Sequence, residues 1–479
     1  MITNIGLMLL LPLAAVILMP WVSRLHRRAA DVLAALAGLG LVGLCLRFIP
    51  LHGETLTLRA LNTQFSVDGL SLLFLVVVNV VGFFCILYSI DYMNHYDGRG
   101  KFYALLLLMV LGLNGVLLVR DLFSLYVYLE IVSIASYVLV AFSLKWDGIE
   151  SALKYLLLSV VATGLILVGL GIMYLNLGTL EFAELKLLLA AGSGPNTVFL
   201  LAAALFIAGF GLKAAIMPFH AWLPDAHPSA PAPISAMLSG VVIKVAGVYA
   251  LTRLFFDIYP SPARILNVFL ILGVVSMIGG ALIAYFQSDI KRMFAYSSIS
   301  QIGYILIGLG LGNPLGLIGA LFHVLNHALF KSLLFLNSGA LQYRTHTRDM
   351  NEMGGLEHRM RVTGITSIFG TLSIAGVPPF NGFWSKLFII LGALAAKQYV
   401  VAVLAIFLSV FTLGYFLLMQ RRVFFGKLNL KWQDLKEVPL TMSLAMIFLA
   451  AQCLLVGIFF NEVLRYLVEP AAAILLGGK

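Results

Sequence analysis

Residues 122–143 read LFSLYVYLEIVSIASYVLVAFS, an apolar run long enough to cross a bilayer, with a single carboxylate, Glu130, near its middle. A spanning helix needs about 20 predominantly apolar residues, and in hydrocarbon every backbone polar group must be satisfied inside the segment. Runs of this kind recur along the whole 479-residue chain, which is 61% hydrophobic and only 11% charged, with a mean hydropathy of +1.01. A soluble core cannot hide that much apolar surface. The residue-by-residue alternation of a membrane barrel is absent. The fold class that follows is all-α: a polytopic membrane helix bundle.

Gly, Pro and charged breaks divide the chain into about fourteen spans, at 4–22, 30–50, 69–90, 102–119, 122–143, 151–176, 197–226, 231–255, 264–286, 290–311, 314–341, 363–395, 398–423 and 438–468. The first has no basic start and no small-residue cleavage site, so it reads as a span and not as a signal peptide. Connections on one side of the membrane hold Arg24, Arg27, Arg28, Arg99, Lys101, Lys145, Lys291, Arg292, the segment from Arg344 to Arg361 and the segment from Arg421 to Lys436; together they carry over half of the 31 Lys and Arg residues. The positive-inside rule places those loops in the cytoplasm of a prokaryotic inner membrane and both termini outside. The formal charge of +10 is dispersed over short loops and forms no basic patch, so nucleic acid is not an expected partner. Cys45, Cys85 and Cys453 lie far apart inside apolar runs, and no C-x-x-C pair suggests a cluster or redox motif. No cofactor and no metal is expected.

Sliding the chain along itself by 168 positions sets Asp121, Tyr128, Glu130, Ala152 and Leu153 against Asp289, Tyr296, Ser298, Ala320 and Leu321. Pro218-Phe219-His220-Ala221-Trp222 is echoed by Pro379-Phe380-Asn381-Gly382-Phe383-Trp384. The order of the matches predicts two repeats, 102–256 and 264–424, of five spans each. With an odd number of spans the second copy enters the membrane with opposite polarity, the inverted-repeat plan of many transporters. Pro218 and the Pro378-Pro379 pair then break the seventh and twelfth spans and free carbonyls that need water or polar partners. A packing kink is the plainer alternative.

Ionisable residues in these spans are the candidate site. Glu130 is too deep to snorkel, and an unpaired charge there costs roughly 3 kcal/mol even on the lenient insertion scale. Lys213 precedes the Pro218 break, Lys244 sits in the next span, and Lys386 follows the second break. His323, His327 and Lys331 recur at i, i+4 and i+8 and share one helical face. Burial pulls lysine and carboxylate pKa values toward neutrality, and histidine is there already, so these are proton-transfer groups. Each also has a bland reading: a packing ion pair for Glu130 and Lys213, carbonyl-bonded rings for the histidines, simple snorkelling for Lys154 near its span's start. A zinc reading of His323 and His327 lacks the glutamate of H-E-x-x-H.

Leu129-Glu130 through Ser136-Tyr137, Gly211-Leu212-Lys213 through His227, Lys244-Val245 with Gly247-Val248-Tyr249, Asp289-Ile290-Lys291-Arg292 with Tyr296-Ser297-Ser298, His323 to Lys331, and Pro378-Pro379-Phe380 to Lys386 together resemble the antiporter-like subunits shared by respiratory complex I, Mrp-type cation/proton antiporters and membrane-bound hydrogenases. The resemblance covers essentially the whole chain. It implies a fourteen-helix subunit with two inverted half-channels, in which Glu130 couples to Lys213 and to an adjacent subunit. Lys244 would be the central relay, His323, His327 and Lys331 its extension, and Lys386 the loading group of the outlet. Lys386 stands where some members carry Glu, and Ser298 where the first repeat has Glu130. His227-Pro228-Ser229-Ala230-Pro231 leans toward the hydrogenase and formate hydrogenlyase branch, with an Mrp-type antiporter component or a subunit N-like member as alternatives. The implied partners are other membrane subunits of one complex, homologous antiporter-like subunits among them, and the lipid bilayer. A stand-alone solute transporter is the rival that inverted repeats and broken helices alone would equally permit.

Overall fold

The computed structural model describes residues 2–26, 28–51, 53–60, 63–192, 196–259 and 263–477; Arg27 of the first basic loop lies outside them. Among the described residues twelve helices are long and apolar enough to cross a membrane. They fall in the expected windows, with the last ending early at Ile458, and the two windows without one are 197–226 and 363–395, where the chain breaks in mid-course. Helix Asn196–Lys213 stops, residues 214–222 form turns, and Leu223–Ser229 resumes. Helix Arg361–Ala375 likewise stops at Gly376, whose φ of +80° suits glycine, and Asn381–Ala395 continues.

Each break frees carbonyls, and each set finds a donor. The indole N–H of Trp222 donates to the Leu212 carbonyl at 2.9 Å. At the second break the Lys386 ammonium donates to the carbonyls of Ile374 at 2.7 Å and Ala375 at 3.3 Å. This is the satisfaction that a non-helical turn at membrane depth requires. The prolines that set the breaks therefore also set where a cation can sit.

Short polar residues start the helices around the site. Asp121 accepts from the Ser124 backbone N–H at 2.7 Å and caps Leu122–Val140; Asp289 accepts from the Arg292 N–H at 3.1 Å and caps Ile290–Gly310. Helices Trp146–Leu177 and Pro314–Thr345 each run 32 residues. Ala232–Ile258, Ile290–Gly310 and Pro314–Thr345 are buried almost all round, whereas Asn4–Leu25, Ala29–Leu51, Trp146–Leu177 and Tyr399–Val423 turn a broad apolar side outward, as peripheral helices facing lipid or other subunits must. The helix carrying Lys244 is wound largely in wide π turns, at Leu238–Val242, Lys244–Tyr249 and Arg253–Ile258. Its Gly247 touches the end of helix Asn196–Lys213 so closely that a Cβ there would lie 2.3 Å from the Cβ of Ala214. Glycine at that point lets the two lysine-bearing elements meet.

Two features depart from the sequence pattern. Leu56–Ala60 pairs antiparallel with Thr63–Val67, a small hairpin between the second and third spans that an all-helical reading omits. The window 438–468, expected as one span, is helix Leu440–Ile458 followed by a bend and further short helical pieces to Leu475. The bend has a local cause: the Trp384 indole takes the Gly457 carbonyl at 2.8 Å, and its ring stacks on Phe460 with centroids 3.6 Å apart.

Candidate functional site

Lys213 is the last residue of helix Asn196–Lys213, and only 3% of its side chain is exposed. Its ammonium donates to the Ser133 hydroxyl at 2.7 Å and the Ser159 hydroxyl at 2.6 Å, and pairs with Glu130 at 3.4 Å. Thr163 donates to the same Glu130 oxygen at 2.7 Å. The carboxylate is 31% exposed on the flank of the bundle. The pair therefore has a buried cation and an acid that faces outward.

Lys244 is wholly buried and donates to the Ser239 carbonyl. Ser239 and Ser298 share a hydroxyl–hydroxyl bond of 2.7 Å, so the residue that replaces Glu130 under the 168-position shift lies beside the Lys244 shell. His323 is held at both ring nitrogens, by Ser385 at 2.9 Å and Gln301 at 3.2 Å. The His327 ring lies 6.1 Å from that of His323, centroid to centroid, and both its nitrogens are buried without a protein partner. Lys331 donates to the Phe294 carbonyl at 2.8 Å and to the Ser297 hydroxyl. Lys386 adds the Ser409 hydroxyl at 3.1 Å to its two carbonyls and lies 4.9 Å from the centre of the Tyr304 ring.

Lys213, Lys244, Lys331 and Lys386 are thus buried inside the helix bundle, and among these four only Lys213 has an ion-pair partner in the described residues. Serine hydroxyls and backbone carbonyls solvate the rest. Such groups accept hydrogen bonds from an ammonium but carry no charge to balance it. Lys154 behaves differently: half exposed, it pairs with Glu150 at 2.9 Å and Asp225 at 3.2 Å. Among the described residues no group of three His, Cys, Asp or Glu side chains could hold a metal ion, and the three cysteines are free and buried.

The model of the family described as NADH:quinone oxidoreductase/Mrp antiporter, TM, matches residues 119–412, the stretch that carries every one of these groups. The chain belongs to this antiporter family. A second model, described as the N-terminus of chain 5 of NADH-ubiquinone oxidoreductase (complex I), matches residues 57–103. The antiporter-family chain is 37% identical over 358 residues to NADH-quinone oxidoreductase subunit N of Desulforudis audaxviator, covering 74% of this chain and 71% of that protein. It is 34% identical over 453 residues to hydrogenase-4 component B of Escherichia coli, covering 88% and 67%. A chain of the Mrp complex from Dietzia superposes with a TM-score of 0.92 at 26% identity, covering 100% of this chain and 98% of that one.

Several members of the antiporter family's polar interior escape a search for ionisable residues. Ser133, Ser159, Gln301 and Ser385 look like ordinary span residues, yet they hold Lys213 and His323. The repeat offered a signal, since the 168-position shift sets Ser133 on Gln301 and Ser159 on His327. A charge cluster at the far end was also missed. Asp68 bridges Arg120 at 3.1 Å and Arg253 at 2.8 Å, and Arg253 reaches Asp257 at 2.8 Å. Burial pushes the Asp68 carboxyl up, but the two guanidinium groups outweigh it and hold the group well below the usual carboxylate range. Arg120 and Arg253 read separately as loop and span-end charges, and only the hairpin brings Asp68 between them.

Proposed function

We propose that the chain is a proton-translocating subunit of a multi-subunit membrane complex, passing protons along Glu130, Lys213, Lys244, the His323–His327–Lys331 face and Lys386. One observation carries the reading: of the buried lysines Lys213, Lys244, Lys331 and Lys386, only Lys213 meets a carboxylate among the described residues, and the other three are held by carbonyls and hydroxyls alone, an arrangement that costs stability. Separating Lys213 from Glu130 favours release of the lysine proton, and rejoining them favours its return. Protons enter from the side with the basic loops, near Lys213, and leave beyond Lys386. That side is the cytoplasm of a prokaryotic inner membrane, with both termini outside.

The two halves form inverted repeats, 102–256 and 264–424. In support, helices Leu122–Val140 and Ile290–Gly310 begin 168 positions apart, helices Trp146–Leu177 and Pro314–Thr345 begin and end so, and the isolated bridges Asp121–Glu181 and Asp289–Asp349 obey the same shift. The exposed flank of Glu130 supports a neighbouring subunit that covers it, because an acid open to lipid is costly. The identities to subunit N and to hydrogenase-4 component B favour a redox-driven parent machine, a hydrogenase or complex I-like assembly. An Mrp-type sodium/proton antiporter is the second reading, favoured by the close superposition on the Dietzia Mrp chain. The test is proton pumping by the reconstituted parent complex carrying Lys244→Ala or Glu130→Gln. Pumping is expected to be lost; normal pumping at normal assembly would sink the assignment.

A further inference from the structure

The two helices that lead into the breaks differ in a way the relay does not use. In Asn196–Lys213 the buried side chains before Lys213 are the apolar Phe199, Ala202, Ala203, Phe206, Phe210 and Leu212, and Thr197 is the only hydroxyl residue. In Arg361–Ala375 the residues Thr363, Thr366, Ser367, Thr371 and Ser373 are all at most 3% exposed. Thr363, Ser367 and Thr371 step by four and Thr366 and Ser373 by seven, and at about 100° per residue all five fall within one side of the helix. Buried hydroxyls on that scale are not needed for packing, which alanine would serve as well.

The face has amide companions. Thr366 donates to the Asn337 side-chain carbonyl at 3.0 Å. The Gln420 amide donates to Ser367 and to Thr371, both at 2.8 Å. The Asn337 amide nitrogen and the Gln420 carbonyl oxygen are buried and, among the described residues, have no hydrogen-bond partner, and the Ser373 hydroxyl lies beside the Cys453 thiol. Buried polar atoms of that kind are normally satisfied by internal water, and here they belong to the two amides that border the hydroxyl face.

Both ends of the row carry titratable groups. At the N-terminus of the helix, the half-buried Glu437 accepts from the Thr363 hydroxyl at 2.7 Å and from the Val362 backbone N–H at 2.7 Å. At the C-terminus, Lys386 donates to the carbonyls of Ile374 and Ala375, the last two residues of the same helix. Ten helical steps from Thr363 to Ser373 rise about 15 Å, so the row covers most of the helix that separates Glu437 from Lys386.

We propose that this hydroxyl face is a second proton-loading path, running from Glu437 to Lys386 without passing Lys213 or Lys244. It rests on the proton-relay reading above. Each hydroxyl or water accepts a proton on a lone pair and releases its own onward, so charge moves with no change of oxidation state, and Lys386 receives the proton as its ammonium. The second half then has an intake of its own, for which the apolar helix of the first half has no equivalent.

The experiment measures proton flux with a pH-sensitive dye in vesicles containing the whole parent complex under an imposed membrane potential. Thr371→Val with Gln420→Leu keeps shape and removes the polar groups; flux is expected to fall by about fivefold or more. Thr371→Ser, which retains the hydroxyl, stays near the parent value. Should the double variant fail to assemble, Glu437→Gln, which keeps an acceptor for the cap but cannot titrate, is expected to lower flux likewise. Unchanged flux in the polar-to-apolar variant, or in Glu437→Gln, overturns the path, as does a Thr371→Ser variant as impaired as Thr371→Val. Lys244→Ala is measured alongside: if it abolishes flux while the path variants do not, the path alone is wrong, and if it also leaves flux intact, the relay falls and the path with it.

Discussion

Helices Trp146–Leu177 and Pro314–Thr345 have the same length and bounds 168 positions apart, yet they present opposite chemistry to the bundle interior. The first offers Tyr155, Ser159 and Thr163; at the same places the second offers His323, His327 and Lys331. Their neighbours are exchanged to match, Glu130 and Ser133 on one side and Ser298 and Gln301 on the other. In the first half a hydroxyl-lined pocket receives an ammonium from outside it, Lys213, and one carboxylate balances it. In the second half Lys331 is built into the long helix itself and donates to a carbonyl and a hydroxyl, and the His323 ring is held by Ser385 and Gln301. One backbone plan thus supports two ways of burying a charge: an ion pair near the flank, where a partner can disturb it, and unpaired groups in the centre, where only the proton moves.

The comparison can be broken by removing one cation from each half. With the second intake closed by Glu437→Gln, Lys213→Ala and Lys331→Ala are both expected to lower the remaining proton transport by about 100-fold, the usual scale for losing a positioned proton-transfer group. Transport that survives Lys213→Ala but not Lys331→Ala would mean that the halves are not in series. Vesicle proton uptake, corrected for the amount of assembled complex, reads the difference.

A smaller effect sharpens the contrast at the end of the bundle away from the breaks' basic loops. Arg120 in the first half aligns with Ser288 in the second, so the Asp68 cluster has no counterpart. Asp68→Ala leaves two guanidinium groups without their shared acid and is expected to cost about 3–5 kcal/mol. Ser288→Ala is expected to stay within about 0.5 kcal/mol. Because the Asp68 carboxyl is held far below its ordinary range, its contribution is fully present above the unfolded-state value of about 4 and is lost only as pH falls through the lower folded value. Thermal unfolding of the parent and the variant should therefore keep the same gap from pH 5 to pH 8; a gap that closes in that range would show that Asp68 is not the ionised centre of the cluster. The smallest effect belongs to Lys154. Its pairs with Glu150 and Asp225 lie at the surface, and Lys154→Ala should change neither unfolding temperature nor transport measurably. A loss of transport would move Lys154 from the flank into the relay.

Much of this was legible without coordinates. Glu130, Lys213, Lys244, His323, His327, Lys331 and Lys386 stand out because an ionisable side chain in an apolar run has few cheap explanations. Their solvation was not legible. Serine, threonine and glutamine cost little in a span, so Ser159 beside Lys213 and Gln301 beside His323 carry no signal until two helices face each other. Gln420 and Thr371 escaped for the same reason, being 49 residues apart in sequence and 2.8 Å apart in space.

The amino-acid sequence by itself determined that this chain crosses the membrane many times, where its helices break, and which charges lie at depth, because hydrocarbon penalises each exposed polar group residue by residue. It could not determine which neutral oxygen faces which ammonium, that Glu130 looks outward while Lys213 looks inward, or that a hairpin delivers Asp68 to two arginines. Those facts depend on the rotation and approach of helices far apart in the chain, and hydrogen bonds act only over about 3 Å.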